Sequence, residues 1–198
     1  MRGVFSGAAT DAIYASQDAL DEIWSQNASI PEQIQGCVHD LIAGIAESQS
    51  DTLAVCAWDG DFTYGQLEAL ASEVARRLIG LVAPKSSIPI LFSKSRWTPV
   101  AMLGIIKAGC ACIALDPSQP DTRLRSIAQQ AHTRTIVSSA THRMRASLLV
   151  DVPVLQVDDV LLNVLDLPKQ SSPQLPVVSP SDIVYISFTS GTSTYLPS

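Results

Sequence analysis

Apolar residues recur along this chain in two alternating rhythms: short unbroken runs of strand length, and stretches where they return every third or fourth position. The runs fall at 52–58, 88–92, 110–115, 135–138, 154–157 and 183–188, and each is predicted to be a strand. Helical spacing fills most of the intervals. Val38, Leu41, Ile42 and Ile45 mark a short amphipathic helix over 38–46, and Leu67, Leu70, Ala71, Val74 and Leu78 form one apolar stripe from which Glu68, Glu73, Arg76 and Arg77 mostly stand aside. Leu124, Ile127, Ala128 and Ala131 predict a further helix facing a sheet.

Local signals sharpen these boundaries. Asp59-Gly60-Asp61 is a turn between two strands. Thr63 and Gln66 have the spacing of a capping box, in which hydroxyl and amide each satisfy an orphaned backbone N–H, and Phe62 with Leu67 occupies the positions of a hydrophobic staple. Thr98-Pro99 reads as an N-cap followed by proline at the first helical position, beginning a helix that runs to Lys107 and ends at Gly109. The polar stretch holding His142, Arg143 and Arg145 is expected to connect two strands. Residues 1–35 are expected to be peripheral, with linker character from Trp24 to Pro31, and the Pro-, Ser- and Gln-rich residues 168–180 to be an exposed connector. Strands alternating with helices of this length predict an α/β fold: a mostly parallel sheet with helices on both faces.

Composition narrows the partners. A net charge of -6 and a pI near 4.9 argue against nucleic acid, which demands a concentrated basic face. No apolar stretch reaches the roughly 18 residues that cross a bilayer and no signal-peptide pattern opens the chain, so a cytoplasmic location without membrane attachment is expected. Cys37, Cys56, Cys110 and Cys112 lack paired CxxC spacing and a histidine cluster, which favours buried free thiols over a structural zinc site. His39 is expected to be a surface or capping group.

One segment carries chemistry. The run at 183–188 feeds directly into Thr189, Ser190, Gly191, Thr192, Ser193 and Thr194. Backbone N–H groups and hydroxyls in such a loop can converge on phosphate oxygens, although the same composition also suits a solvated turn. The Walker pattern and the GxGxxG fingerprint are both absent.

Three segments, in order, resemble the core motifs of adenylate-forming enzymes. FTYGQLEALA at 62–71 is similar to the family's LTYxEL helix start, AMLGIIKAGCACIALDP at 101–117 to its LKAGxAYxPLDP element, and IVYISFTSGT at 183–192 to the entry of its YTSGTTGxPKG phosphate loop. WSQNASIPEQIQGCVHDLI resembles the connector that follows a condensation domain in nonribosomal peptide synthetases, and SKSRWTPVAMLGIIKAG is similar to the fungal form. On this resemblance residues 1–50 are the connector with a short helix, and 51–198 are the N-terminal portion of an AMP-binding adenylation domain.

The resemblance implies a ligase that converts ATP and an amino or aryl acid to an acyl-adenylate, then passes the acyl group to the phosphopantetheine thiol of a carrier protein. It implies Mg as the charge-neutralising ion, condensation and carrier domains as partners, and Thr189, Ser190, Gly191, Thr192 and Ser193 as the nucleotide-binding loop. Lys107 and Asp116 take structural roles, and no catalytic residue or metal ligand is assigned. The chain departs from the family pattern where Gly and then Pro-Lys-Gly are expected and Thr194-Tyr195-Leu196-Pro197-Ser198 stands instead. A truncated adenylation domain, inactive by itself, is therefore expected. A noncatalytic interaction module, or a fragment of an acyl-CoA synthetase-like ligase, is the alternative.

Overall fold

The computed structural model describes residues 16–29, 35–165 and 175–188. The chain divides into two compact units, residues 1–35 and 36–198. In the first, helix α1 (Gln17–Gln26) begins at Ser16, whose hydroxyl accepts from the Ala19 N–H at 3.2 Å. Residues 24–26 therefore close a helix rather than open a linker: a side-chain cap and an Ala-Leu-Ile-bearing run outweigh the polar composition.

The second unit opens with α2 (Val38–Ser48), followed by an antiparallel hairpin of β1 (Leu53–Ala57) and β2 (Gly60–Thr63). Helix α3 (Tyr64–Ile79) then leads to β3 (Ser87–Leu91), α4 (Trp97–Lys107), β4 (Ala111–Leu115), α5 (Asp121–Gln130) and β5 (Ile136–Ser138). A 3-10 turn (Ala140–His142), α6 (Arg143–Leu149), β6 (Val154–Gln156) and a 3-10 segment (Asp159–Val164) complete the order. The sheet runs β4-β3-β5-β6, all parallel.

Helices cover both faces of this sheet. Ile88, Ile90, Cys112 and Val137 point to the side of α3 and α4, whereas Leu91, Ile113, Leu115 and Ile136 point to the side of α5 and α6. The α/β class with a parallel sheet stands; the hairpin is a separate antiparallel sheet of two strands.

The capping box of α3 forms as its sequence predicts, with the Gln66 N–H donating to Thr63 Oγ1 at 3.3 Å and the Thr63 N–H to Gln66 Oε1 at 3.0 Å. The start of α4 differs from expectation. Trp97 is its first residue, placing Thr98 inside the helix, because Ser95 and Asp59 occupy the capping role: Ser95 Oγ accepts from the Trp97 N–H and the Asp59 carboxylate from the Arg96 N–H. Pro99 is tolerated in the first turn, where N–H groups have no intrahelical acceptor.

Two further corrections follow from packing. Val38 and Leu41 of α2 are exposed while Ala46 is buried and Ile42 packs on the core, so the helix is rotated from the face its spacing suggested. The stretch around His142 includes α6, because Ala146 and Leu149 bury one side of it. Gly109 does end α4, with a left-handed φ of 70°.

Helices α3 and α4 make the most extensive helix–helix contact, and Gly104 makes it close. A Cβ there would lie 2.6 Å from Val74 Cβ and 2.9 Å from the Ala71 carbonyl oxygen. Across this seam Lys107 donates to Glu68. Burying an ammonium requires such a carboxylate.

Candidate functional site

The loop residues Thr189, Ser190, Gly191, Thr192 and Ser193 lie outside the described residues. What leads to them is described. Residues 183–188 run beside β4 in the parallel sense: the Cys112 N–H donates to the Val184 carbonyl and the Ile186 N–H to the Cys112 carbonyl, each at 2.9 Å. The predicted strand is thus present as a single bridge, with Ile186 and Phe188 packed on the α5 and α6 side. Because the pairing is parallel, the chain leaves Phe188 in the direction in which β4 reaches Leu115 and Asp116. In open α/β sheets, ligands bind at that carboxyl edge, above all where neighbouring strands send their connections opposite ways.

β3 and β5 are such neighbours. The chain leaves β3 toward β4 and leaves β5 toward β6, on the opposite flank. Ser93 follows β3 and His142 follows β5, and Ser93 Oγ lies 2.9 Å from His142 Nε2 across the divide. Burial, and then the neighbouring Arg145 charge, hold the His142 imidazole below its ordinary pKa, favouring the neutral ring. Beside this pair is a cleft of about 460 Å³ lined by Phe92, Ser93, Lys94, Leu115, Asp116 and Ser118.

Asp116 shapes the cleft floor. Its carboxylate accepts from the Ser118 N–H and the Ser118 hydroxyl, both at 2.8 Å, and those two bonds lower its pKa in that order. The guanidinium of Arg145 fixes the same turn from below, donating to the Asp121 carboxylate and to the Pro117 and Gln119 carbonyls. Asp116 acts on its own loop, and Arg145 of α6 reaches across to the same turn. Lys107 is inside the α3–α4 seam, away from this edge.

A second polar network braces the hairpin. Asp59 accepts from Ser95 Oγ at 2.6 Å and the Arg96 N–H at 2.9 Å, while Arg96 Nη2 donates to Asp159 at 2.8 Å with its guanidinium over the Phe62 and Trp97 rings. Burial raises the Asp59 carboxyl, but the Ser95 hydroxyl and the Arg96 N–H outweigh it and leave the pKa below its ordinary value.

The four cysteines are free. Burial pushes the Cys112 thiol up to about 12, making it an inert packing group. Cys56 is exposed, contrary to the expectation of burial, because it faces away from the core on a two-stranded hairpin. His39 is also not a surface group: its side chain is 12% exposed. Among the described residues no helix is long and apolar enough to cross a membrane. Neither Ser93 nor His142 was legible as a pair, since 49 positions separate them and no spacing rule links them.

A parallel sheet with an entering segment directed toward a polar carboxyl edge is an α/β arrangement in which ligands bind at that edge. The model of the family described as AMP-binding enzyme matches residues 43–194, and the chain belongs to that family. It is 44% identical over 180 residues to nonribosomal peptide synthetase ungA of Aspergillus violaceofuscus, covering 90% of this chain and 2% of that protein. It is 39% identical over 181 residues to peramine synthetase A of Epichloe festucae, covering 90% of this chain and 6% of that protein. The chain thus spans a small part of these fungal relatives.

Among solved structures, VinN with 3-methylaspartate superposes with a TM-score of 0.71 at 24% identity, covering 83% of this chain and 46% of that one. The nonribosomal peptide synthetase FmoA3 does so with a TM-score of 0.72 at 22% identity, covering 86% and 18%. These likenesses establish the fold, and the expected membership of the adenylate-forming class is borne out by the family match.

Proposed function

We propose that this chain forms the opening portion of an adenylation domain of a nonribosomal peptide synthetase, which activates an amino or aryl acid with ATP and hands the acyl group to a carrier-bound phosphopantetheine thiol. The observation that carries this reading is the parallel docking of residues 183–188 on Cys112, which aims the chain that follows at the carboxyl edge. Thr189, Ser190, Gly191, Thr192 and Ser193 are assigned to the triphosphate: a loop of small and hydroxyl residues offers N–H and O–H donors without bulk in the way. The direction of the entering strand fits that group, and Mg bound with the nucleotide would neutralise phosphate charge. Residues 1–50 are assigned to the connector from a condensation domain and residues 51–198 to the adenylation domain. FmoA3 has been seen with AMPPNP and with an alpha-methyl-L-serine adenylate, which supports this substrate class.

The test is amino-acid-dependent exchange of pyrophosphate into ATP. A chimera joining residues 1–193 to the remainder of the ungA adenylation domain is expected to exchange, and Ser190→Ala in it to exchange at least tenfold more slowly. The 198-residue polypeptide alone is expected to show no exchange. A folded but inert chimera, or brisk exchange by the 198 residues alone, overturns the assignment.

A further inference from the structure

Cys37, His39 and Asp40 stand together at the first turn of α2, and the activity proposed above uses none of them. One ligand atom from each, the Cys37 sulfur, an imidazole nitrogen and a carboxylate oxygen, lies within 4.8 Å of the other two. Among the described residues no other trio of His, Cys and acidic side chains converges in this way. We propose that these three residues bind a divalent transition cation, zinc or cobalt, at the start of α2.

Three observations carry this beyond proximity. His39 is mostly buried, yet its Nδ1 has no hydrogen-bond partner, and its Nε2 is 3.5 Å from Asp40 Oδ1, too far for a strong hydrogen bond. A buried polar nitrogen without a partner is unfavourable unless something binds it. Cys37 is 8% exposed, and its thiol hydrogen-bonds with Asp40 as well as reaching the Val178 carbonyl at 3.4 Å, so sulfur and carboxylate are already in contact, while no side chain caps the helix. Asp40 is 71% exposed, which leaves an entry path and room for a water as the fourth ligand.

The donor set selects the ion. A thiolate and an imidazole suit borderline-soft metals and disfavour magnesium or calcium, which take oxygen ligands. Binding displaces the Cys37 thiol proton to solvent, so the thiolate and carboxylate charges balance the dication. The positive end of the α2 dipole opposes a cation here, but that partial charge is weak beside direct ligation by two anions.

Cobalt titration of the 198-residue protein tests this. One equivalent is expected to produce a near-ultraviolet sulfur-to-cobalt charge-transfer band with visible bands of tetrahedral intensity. Cys37→Ser and His39→Gln should each abolish it, and Cys56→Ser should leave it intact. Zinc should also protect Cys37, and not Cys56, from iodoacetamide in the unaltered protein, a readout that needs no variant. Absence of the band, its loss only in Cys56→Ser, or alkylation of Cys37 at an unchanged rate with zinc present overturns the proposal.

Discussion

Replacing Lys107 by Met should destabilise the fold more than any surface charge could. Lys107 is 5% exposed and Glu68 25%, and the pair joins α4 to α3 across their seam. Met keeps most of the aliphatic stem, so the change isolates the charge. Deleting one member of a fully buried pair costs about 3–5 kcal/mol, because the other is left charged without compensation. Here Glu68 keeps a hydroxyl donor in Ser72, at 3.3 Å, and a quarter of it reaches water, although its Oε2 already lacks a partner. The expected loss is therefore about 2–3 kcal/mol, the lower part of that range. In a chain of 198 residues this corresponds to a fall in Tm of roughly 4–12 °C. The assay is urea and thermal unfolding of wild type, Lys107→Met, Glu68→Leu and the double variant. The double variant should recover to within about 1 kcal/mol of wild type, since an apolar pair leaves no stranded charge. A loss below about 1 kcal/mol in Lys107→Met, or losses that simply add in the double variant, would place the pair with solvent-screened surface bridges and refute the reasoning.

Gly104→Ala should lose about 1–3 kcal/mol by urea unfolding despite its better helix propensity, because the new methyl meets the Ala71 carbonyl, a backbone atom that cannot rotate away. Gly60→Ala should likewise be destabilising, since φ is 124° and a Cβ would strike the Arg96 guanidinium; the Tm of this variant should fall, and Arg96→Ala in the same background should not restore it fully. The depressed His142 pKa means that the unfolded chain binds a proton first, so stability is lost as pH falls from about 6.5 toward the folded value. His142→Gln should flatten the slope of stability against pH in that window. Asp59 acts lower on the scale: its stabilisation is complete above about pH 4 and disappears as pH falls through its depressed folded pKa, so Asp59→Asn should reduce the acid sensitivity of unfolding.

What the sequence made legible was whatever its physics keeps local. The Thr63–Gln66 box, the Phe62–Leu67 staple and the Gly109 terminus involve residues a few positions apart, and each forms as its spacing predicts. Periodicity likewise found the buried stripe of α3 and the strands that make the sheet. Two of the misses share one cause. Thr98 was displaced as a cap by Asp59, which arrives from the hairpin, and α6 is held by Arg145 reaching back to Pro117, Gln119 and Asp121. Both depend on long-range contacts that no local pattern encodes. At the carboxyl edge the same limit applies, because Asp116 and the loop motif were visible in the chain whereas the Ser93–His142 contact exists only once β3 and β5 lie side by side.

These elements form a connected support for the segment that ends at Phe188. The Lys107–Glu68 pair holds the end of α4, Gly109 turns the backbone, and its carbonyl accepts the Lys85 N–H at 2.7 Å, fixing where β4 begins. Cys112 of β4 then offers both its N–H and its carbonyl to residues 184 and 186. The incoming segment is secured before that register by Asp182, which receives the Lys85 ammonium at 2.8 Å and the Ser179 N–H at 2.9 Å. Lys85 therefore serves both ends of the arrangement, by its backbone on the α4 turn and by its side chain on the entering segment. The segment ending at Phe188 thus takes its position from backbone hydrogen bonds on Cys112 and from the Lys85–Asp182 ion pair.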